Sequence, residues 1–223
     1  MTERRAGWLV QVGARLSPGV RKVQGEIAPY AAAWDEVNAA TSRMTGPLWV
    51  VVGDSMAQGI GASRHDMGWV GQLHVLLDRA GRSYRVANLS SYGARVEDVL
   101  TRQLPAMRDL DGPELVTVLI GSNDIVSRTS RRTLRSNYEE LLEQLPSGAV
   151  VASPFANFGL GRELNALLAA EATRRGLRVV NNREGTGAAS WRGKLAEDHF
   201  HPNDAGYAAL AQSFFETILA SRP

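Results

Sequence analysis

Four short polar blocks carry residue types that could perform acyl transfer. The first is Gly53-Asp54-Ser55, in the stretch "PLWVVVGDSMAQGIG". On its own, this pair of Asp54 and Ser55 suits a helix N-cap at least as well as a nucleophile. A phosphate loop is excluded, because no G-x-x-x-x-G-K-[ST] pattern occurs and no lysine lies near. Gly59 and Gly61 lack the third glycine and the preceding strand of a dinucleotide loop. A nucleophilic serine needs a base, and the base needs a group to orient it. The chain holds four histidines and no cysteine, so cysteine nucleophiles, disulfides and thiolate metal sites are excluded. His65 reads as a solvated loop residue, and His74, between Leu73 and Val75, as a structural one. His201 stands three residues after Asp198 in "DHFHP". One tight turn at that spacing lets the carboxylate reach the near imidazole nitrogen and leaves the far nitrogen to face a serine. Pro202 stiffens the turn, and Asn203 or Asp204 can cap the helix that follows. His199 has no carboxylate at that spacing and reads as a neighbour. The oxyanion of an acyl transfer needs donors. The candidates are the backbone N–H of Ser55, the N–H of Gly93 in "SYGARVED" and the side-chain amide of Asn123 in "GSND". Gly93 and Asn123 can each also be read as turn residues.

These blocks must be positioned by regular elements. Five short runs read as strands: Leu48–Gly53, Tyr84–Leu89, Leu115–Gly121, Ala149–Ser153 and Leu177–Asn181. Three of them are nearly continuous in Val, Leu and Ile, which signals burial on both faces and a parallel sheet. Helical periodicity fills the gaps. Val70, Leu73, Leu76 and Leu77 share a face ahead of Gly81, and Val96, Val99, Leu100 and Leu104 share one ahead of Pro105. Leu134, Tyr138, Leu141, Leu142 and Leu145 form a third stripe, and "RELNALLAAEATRRG" and "AGYAALAQSFFETILA" complete the set. Alternating strands and helices predict an open three-layer α/β fold, whose ligands bind at the carboxyl edge of the sheet. All four polar blocks fall at that edge.

Together the blocks resemble the signatures of the SGNH (or GDSL) hydrolase superfamily, esterases and lipases of flavodoxin-like fold. Those signatures are a G-D-S, a glycine in the second block, a G-x-N-D and a D-x-x-H before the last helix. Here they read Gly53-Asp54-Ser55, Gly93, Gly121-Ser122-Asn123-Asp124 and Asp198-His199-Phe200-His201, in that order. The resemblance implies a three-layer αβα domain over 47–223, with about five parallel strands. It also implies Ser55 as nucleophile, His201 as base, Asp198 as its orienting carboxylate, and an oxyanion hole of Ser55, Gly93 and Asn123. The expected activity is a serine esterase or acyl hydrolase that works through an acyl-enzyme and needs no cofactor or metal. An acyltransferase on the same scaffold is the alternative. An α/β-hydrolase fits less well, since Ala57 stands where G-x-S-x-G needs its last glycine. Two rivals come from other classes. A metal-dependent phosphoesterase could use Asp54, Asn123, Asp124, His199 and His201 but leaves Ser55 without a role. A non-catalytic binding module leaves every block without one. Asp54 itself is expected to brace the turn rather than react.

The remaining features bear on partners. With 25 basic and 23 acidic residues, the net charge of +2 gives no field for nucleic acid, so a small-molecule, lipid or sugar ester is the expected partner. No apolar run is long enough to span a membrane. Residues 1–46 precede the first strand and read as an N-terminal helical extension, with a helix beginning near Pro29 and a rough stripe of Ala31, Trp34, Val37 and Asn38. Packing on the flank of the domain is the expected role. Membrane contact by Trp8, Leu9 and their arginines is the weaker reading, because Pro18 and two glycines break any long amphipathic face. A charged start before Trp8, Leu9 and Val10 faintly suggests export, but Gln11 and Arg15 interrupt the apolar stretch, and a cytoplasmic location is expected. Arg128, Arg131, Arg132 and Arg135 follow the third block. A solvated helix face, with Arg135 paired to Glu139, is expected of them. The alternative is a rim of Arg128, Arg131 and Arg132 that faces anionic esters, since cations at a helix N-terminus oppose its dipole.

Overall fold

The computed structural model describes residues 17–127, 129–154, 159–180 and 191–220. Its five strands are β1 (Leu48–Gly53), β2 (Arg85–Asn88), β3 (Leu115–Leu119), β4 (Val150–Ala152) and β5 (Arg178–Val180). All neighbours pair in parallel, in the order β2-β1-β3-β4-β5. This is the doubly wound order that places a ligand crevice where the winding reverses, beside β1 and β3. All six residues of β1 are buried, because both of its faces are covered. Val50 and Val52 point into one core with Tyr138, Leu141 and Leu142 of the helix Arg131–Gln144 and Leu164 and Leu168 of the helix Gly159–Arg175. Trp49 and Val51 point into the other, with Trp69, Leu73 and Leu77 of Trp69–Arg79 and Tyr207, Phe214 and Ile218 of Asp204–Leu219. There Trp69 stacks on Phe214 with centroids 4.2 Å apart. Within the sheet, the buried Thr117 hydroxyl accepts the Trp49 indole N–H at 2.8 Å.

The helix expected to end before Pro105 runs on through it. An α turn at Val96–Asp98 passes into a π turn at Val99–Gln103 and then into Leu104–Arg108, with Pro105 in its first turn. Proline clashes with the carbonyl four residues back and cannot donate to it. The wider π turn opens the ladder just upstream, so the proline begins a new α segment instead of ending the helix.

The described part of the N-terminal extension forms α1 (Pro18–Gln24) and α2 (Ile27–Thr41). Pro18 takes the first helical position, where its missing N–H costs nothing. The second helix starts two residues before Pro29, which its first turn accommodates for the same reason. This helix lies along the free edge of β2. Asn38 exchanges two hydrogen bonds of 2.8 Å with the backbone of Asn88, and the Thr41 hydroxyl donates to the Val86 carbonyl. The exposed groups of an edge strand are thereby paired. Trp8 and Leu9, named for membrane contact, lie outside the described residues.

Candidate active site

The apolar run of β1 delivers Gly53 to the carboxyl edge of the sheet. A Cβ at Gly53 would stand 2.6 Å from the Leu119 carbonyl oxygen, so β3 approaches too closely for any side chain there. The Gly53 backbone is gripped by Gln103, whose amide accepts its N–H at 2.9 Å and donates to its carbonyl at 2.8 Å. Gln103 is fully buried and comes from the π turn. Nothing in the motif blocks points to it. The signal was a polar residue on the apolar stripe that runs from Val96 and Val99 to Met107.

After Gly53 the chain turns into the short helix Ser55–Gln58, and Asp54 caps it by accepting the Met56 N–H at 3.0 Å. Ser55 is thus held at a sharp strand-to-helix junction. Its hydroxyl lies 2.9 Å from His201 Nε2, and His201 Nδ1 lies 2.6 Å from Asp198 Oδ2. The ionised carboxylate can only accept, so Nδ1 carries the proton and Nε2 accepts from the serine. Ser55 is 4% exposed and His201 5%. The other oxygen of Asp198 accepts the N–H groups of Phe200 and His201, both at 3.0 Å. Burial raises the Asp198 carboxyl. The hydrogen bond and charge of His201, with the two N–H donors, more than offset this and hold it below its ordinary range. The tight turn requires a left-handed corner, and His199 supplies it at φ 56°, the one such non-glycine among the described residues. Strain of this kind persists where surrounding structure enforces it. Phe200, half exposed, sets its ring edge-to-face with that of His201, centroids 4.9 Å apart.

The second and third blocks meet beside Asp54. Gly93 lies in a turn at φ 70°. The Asn123 amide donates to the Ala94 carbonyl at 3.0 Å and lies 3.5 Å from Asp54 Oδ2. Asp124 accepts the Val96 N–H at 3.0 Å, tying the loop that carries Asn123 to the loop that carries Gly93. Asn88 ties that second loop to the helix Ser55–Gln58: its amide donates to the Ala57 carbonyl and its oxygen accepts the Ser90 N–H. Asp54, Asp124 and His201, named as ligand types for a metal, are therefore each committed to other partners. Of the arginines, Arg135 pairs with Glu139 as expected, and Arg131 reaches across to Glu163 at 2.9 Å. Arg132 is exposed at the helix N-terminus, and Arg128 lies outside the described residues. His65 and His74 have other neighbours. His74 bonds to the Tyr84 carbonyl, as a structural residue. His65 is not simply solvated: its ring packs edge-on against Trp34 at 5.3 Å, an aromatic neighbour supplied by α2.

Burial pushes the Asp54 carboxyl from its ordinary 3.8 up to about 7, against the pull of the Met56 N–H and of His201. Between those two values the folded chain keeps a proton that the unfolded chain has released. Stability therefore falls as pH rises through this window and levels off above about 7. Burial raises Asp124 and Glu26 in the same sense, so Asp54→Asn should flatten the decline rather than abolish it. The expected difference is on the order of 2 kcal/mol between pH 5 and 8. Thermal unfolding of both proteins across that range tests it, and parallel curves would remove Asp54 as the cause.

Comparison with known proteins places this geometry in context. The model of the GDSL-like Lipase/Acylhydrolase family matches residues 51–209. Among solved structures, TesA superposes with a TM-score of 0.67 at 26% identity, over 77% of this chain and 98% of its own. The psychrotrophic esterase EstA from a Pseudoalteromonas species, inhibited by monoethylphosphonate, gives 0.61 at 17% identity over 78% and 97%. A variant of Axe2, an acetyl xylan esterase from Geobacillus stearothermophilus, gives 0.59 at 20% identity over 80% and 97%. No curated protein sequence matches the chain.

Proposed function

Because the chain belongs to the GDSL-like lipase/acylhydrolase family, we propose that it hydrolyses carboxylic esters through a covalent acyl intermediate on Ser55. The observation that carries this reading is the continuous chain from Ser55 through His201 to Asp198, with contacts of 2.9 and 2.6 Å. His201 Nε2 takes the hydroxyl proton as the serine oxygen attacks the ester carbonyl carbon. Asp198 holds the tautomer and stabilises the imidazolium. The carbonyl π electrons move onto oxygen, where the N–H groups of Ser55 and Gly93 and the amide of Asn123 receive the charge. When the intermediate collapses, the C–O bond to the alcohol breaks and His201 returns its proton to the departing alkoxide. A water deprotonated by the same nitrogen then attacks the acyl-enzyme and releases the acid. Asp54 and Gln103 hold the loop and take no proton.

A p-nitrophenyl ester series from acetate to palmitate, run beside acetylated sugars, tests this reading and sorts the acyl and alcohol preferences. Hydrolysis that is lost in step with fluorophosphonate labelling of Ser55 is the expected result. Activity abolished by chelator and restored by a divalent metal would overturn it. Transfer of the acyl group to an added sugar or alcohol, at the expense of the free acid, would identify the acyltransferase variant.

A further inference from the structure

The helices α1 and α2 lie outside the stretch 51–209 that the family shares. Yet their side chains converge on the two loops that carry Ser55 and His201. Helix α1 is laid directly on the acid–base loop: a Cβ at Gly19 would stand 2.3 Å from the Glu197 carbonyl oxygen. Lys22 forms an ion pair with the Glu197 side chain, one residue before Asp198. That pair is solvent-exposed and contributes little energy by itself.

The other contacts fall on the turn that leaves the nucleophile helix. Trp34 Nε1 donates to the Gln58 carbonyl at 3.0 Å, and the Tyr30 hydroxyl donates to the Ala62 carbonyl at 2.7 Å. Between them, the Glu26 carboxylate accepts the Gly61 N–H at 2.7 Å. Gly61 has φ 95°, a left-handed conformation that glycine tolerates best. It also has no room for a side chain, since a Cβ would stand 2.7 Å from His201 Cβ and 2.6 Å from the Pro202 carbonyl oxygen. The backbone of this turn thus packs directly against the stem of His201 at its Cβ and against the Pro202 carbonyl, and the arm holds the turn from behind.

We propose that Glu26 and Tyr30 are positioning residues: by fixing the 60–62 turn they seat His201 at hydrogen-bond distance from Ser55. The inference rests on the serine-hydrolase reading above, and it assigns the N-terminal arm a part in catalysis beyond covering the edge of β2. Proximity effects make the contribution readable, because a shift of about 1 Å in a reacting group can cost up to about a hundredfold in rate. The hydrogen bond to Gly61 needs an acceptor rather than a charge, so glutamine should replace Glu26 and alanine should not.

The test uses the full chain and the second-order rate of fluorophosphonate labelling at Ser55, measured well below the unfolding temperature. Glu26→Ala should label about tenfold more slowly than the wild type, and Glu26→Gln within about twofold of it. Thr41→Val removes an arm contact on β2 alone and should lower the melting temperature without slowing the labelling. If Glu26→Ala does not fold, Tyr30→Phe carries the test, with about threefold slower labelling expected. Labelling of Glu26→Ala, or of Tyr30→Phe in its place, at the wild-type rate would overturn the positioning role, as would Glu26→Gln labelling as slowly as Glu26→Ala. A folded wild type that does not label at Ser55 would instead overturn the serine reading itself, and this inference with it.

Discussion

Ser55→Ala should lower kcat by about 10⁴- to 10⁶-fold, and His201→Ala by a similar factor, with the fold intact. The size follows from the geometry. The Ser55 hydroxyl has its acceptor at 2.9 Å, and that acceptor is set by a carboxylate at 2.6 Å. Removing either end disables the whole relay, so the double variant should be little worse than the single ones. Asp198→Asn should be less severe but still large, because an amide can hold the ring in the wrong tautomer. Folding should survive the serine change. The fixed points of the junction are the Gln103 grip on Gly53 and the Asp54 cap, neither of which uses the Ser55 side chain. Steady-state hydrolysis of a p-nitrophenyl ester, with circular dichroism as the fold control, measures the effect. A Ser55→Ala enzyme with more than a hundredth of wild-type kcat would end the covalent mechanism.

The sheet was legible because a parallel strand buried on both faces cannot hide its composition. "LWVVVG" is apolar at every position, since Trp49 and Val51 serve one core while Val50 and Val52 serve the other. At every described end each expected strand lies within two residues of the observed one, and the excess falls at both the amino and the carboxyl ends, where the chain joins the ladder or leaves it. Helices with a clear stripe, such as the one holding Leu134, Tyr138, Leu141 and Leu142, were legible for the same reason. The π turn before Pro105 was not. A local rule says that proline ends a helix, whereas the outcome depends on Gln103 finding both polar groups of Gly53, a contact fifty residues away.

The candidate site divides along the same line. Residues with reactive side chains announce themselves by type, and Asp198 and His201 also by their spacing. Residues that act on backbone groups do not. Glu26, Gln103 and Asn88 hold Gly61, Gly53 and Ala57 through main-chain hydrogen bonds. The sequence around Glu26 and Asn88 carries no sign of it, and the one sign for Gln103 is its place on an apolar stripe. Helix α1 escaped for another reason. Seven residues hold too few turns to show an amphipathic period, and its place is set by close backbone packing against Glu197. The Pro18 start signal was present but reads equally well as a helix breaker.

Asn123→Ala should cost about 10²- to 10³-fold in kcat with little change in KM, the range for loss of one oxyanion donor. The Asn123 amide already donates to the Ala94 carbonyl at 3.0 Å. That bond orients the group and leaves its second N–H for another acceptor. In the resting enzyme this second N–H faces Asp54 Oδ2 only at 3.5 Å, a weak contact that an oxyanion would displace at small cost. The charge develops only as the intermediate forms, so the donor acts on the transition state far more than on bound ester. Asn123→Asp is the sharper variant. It keeps the shape but turns a donor into an acceptor that repels the oxyanion, and it places a carboxylate beside Asp54. It should fall below the alanine enzyme in kcat. Equal kcat for the two variants would mean that shape rather than hydrogen-bond donation is what Asn123 contributes. An alanine variant with wild-type kcat would take Asn123 out of the oxyanion hole altogether.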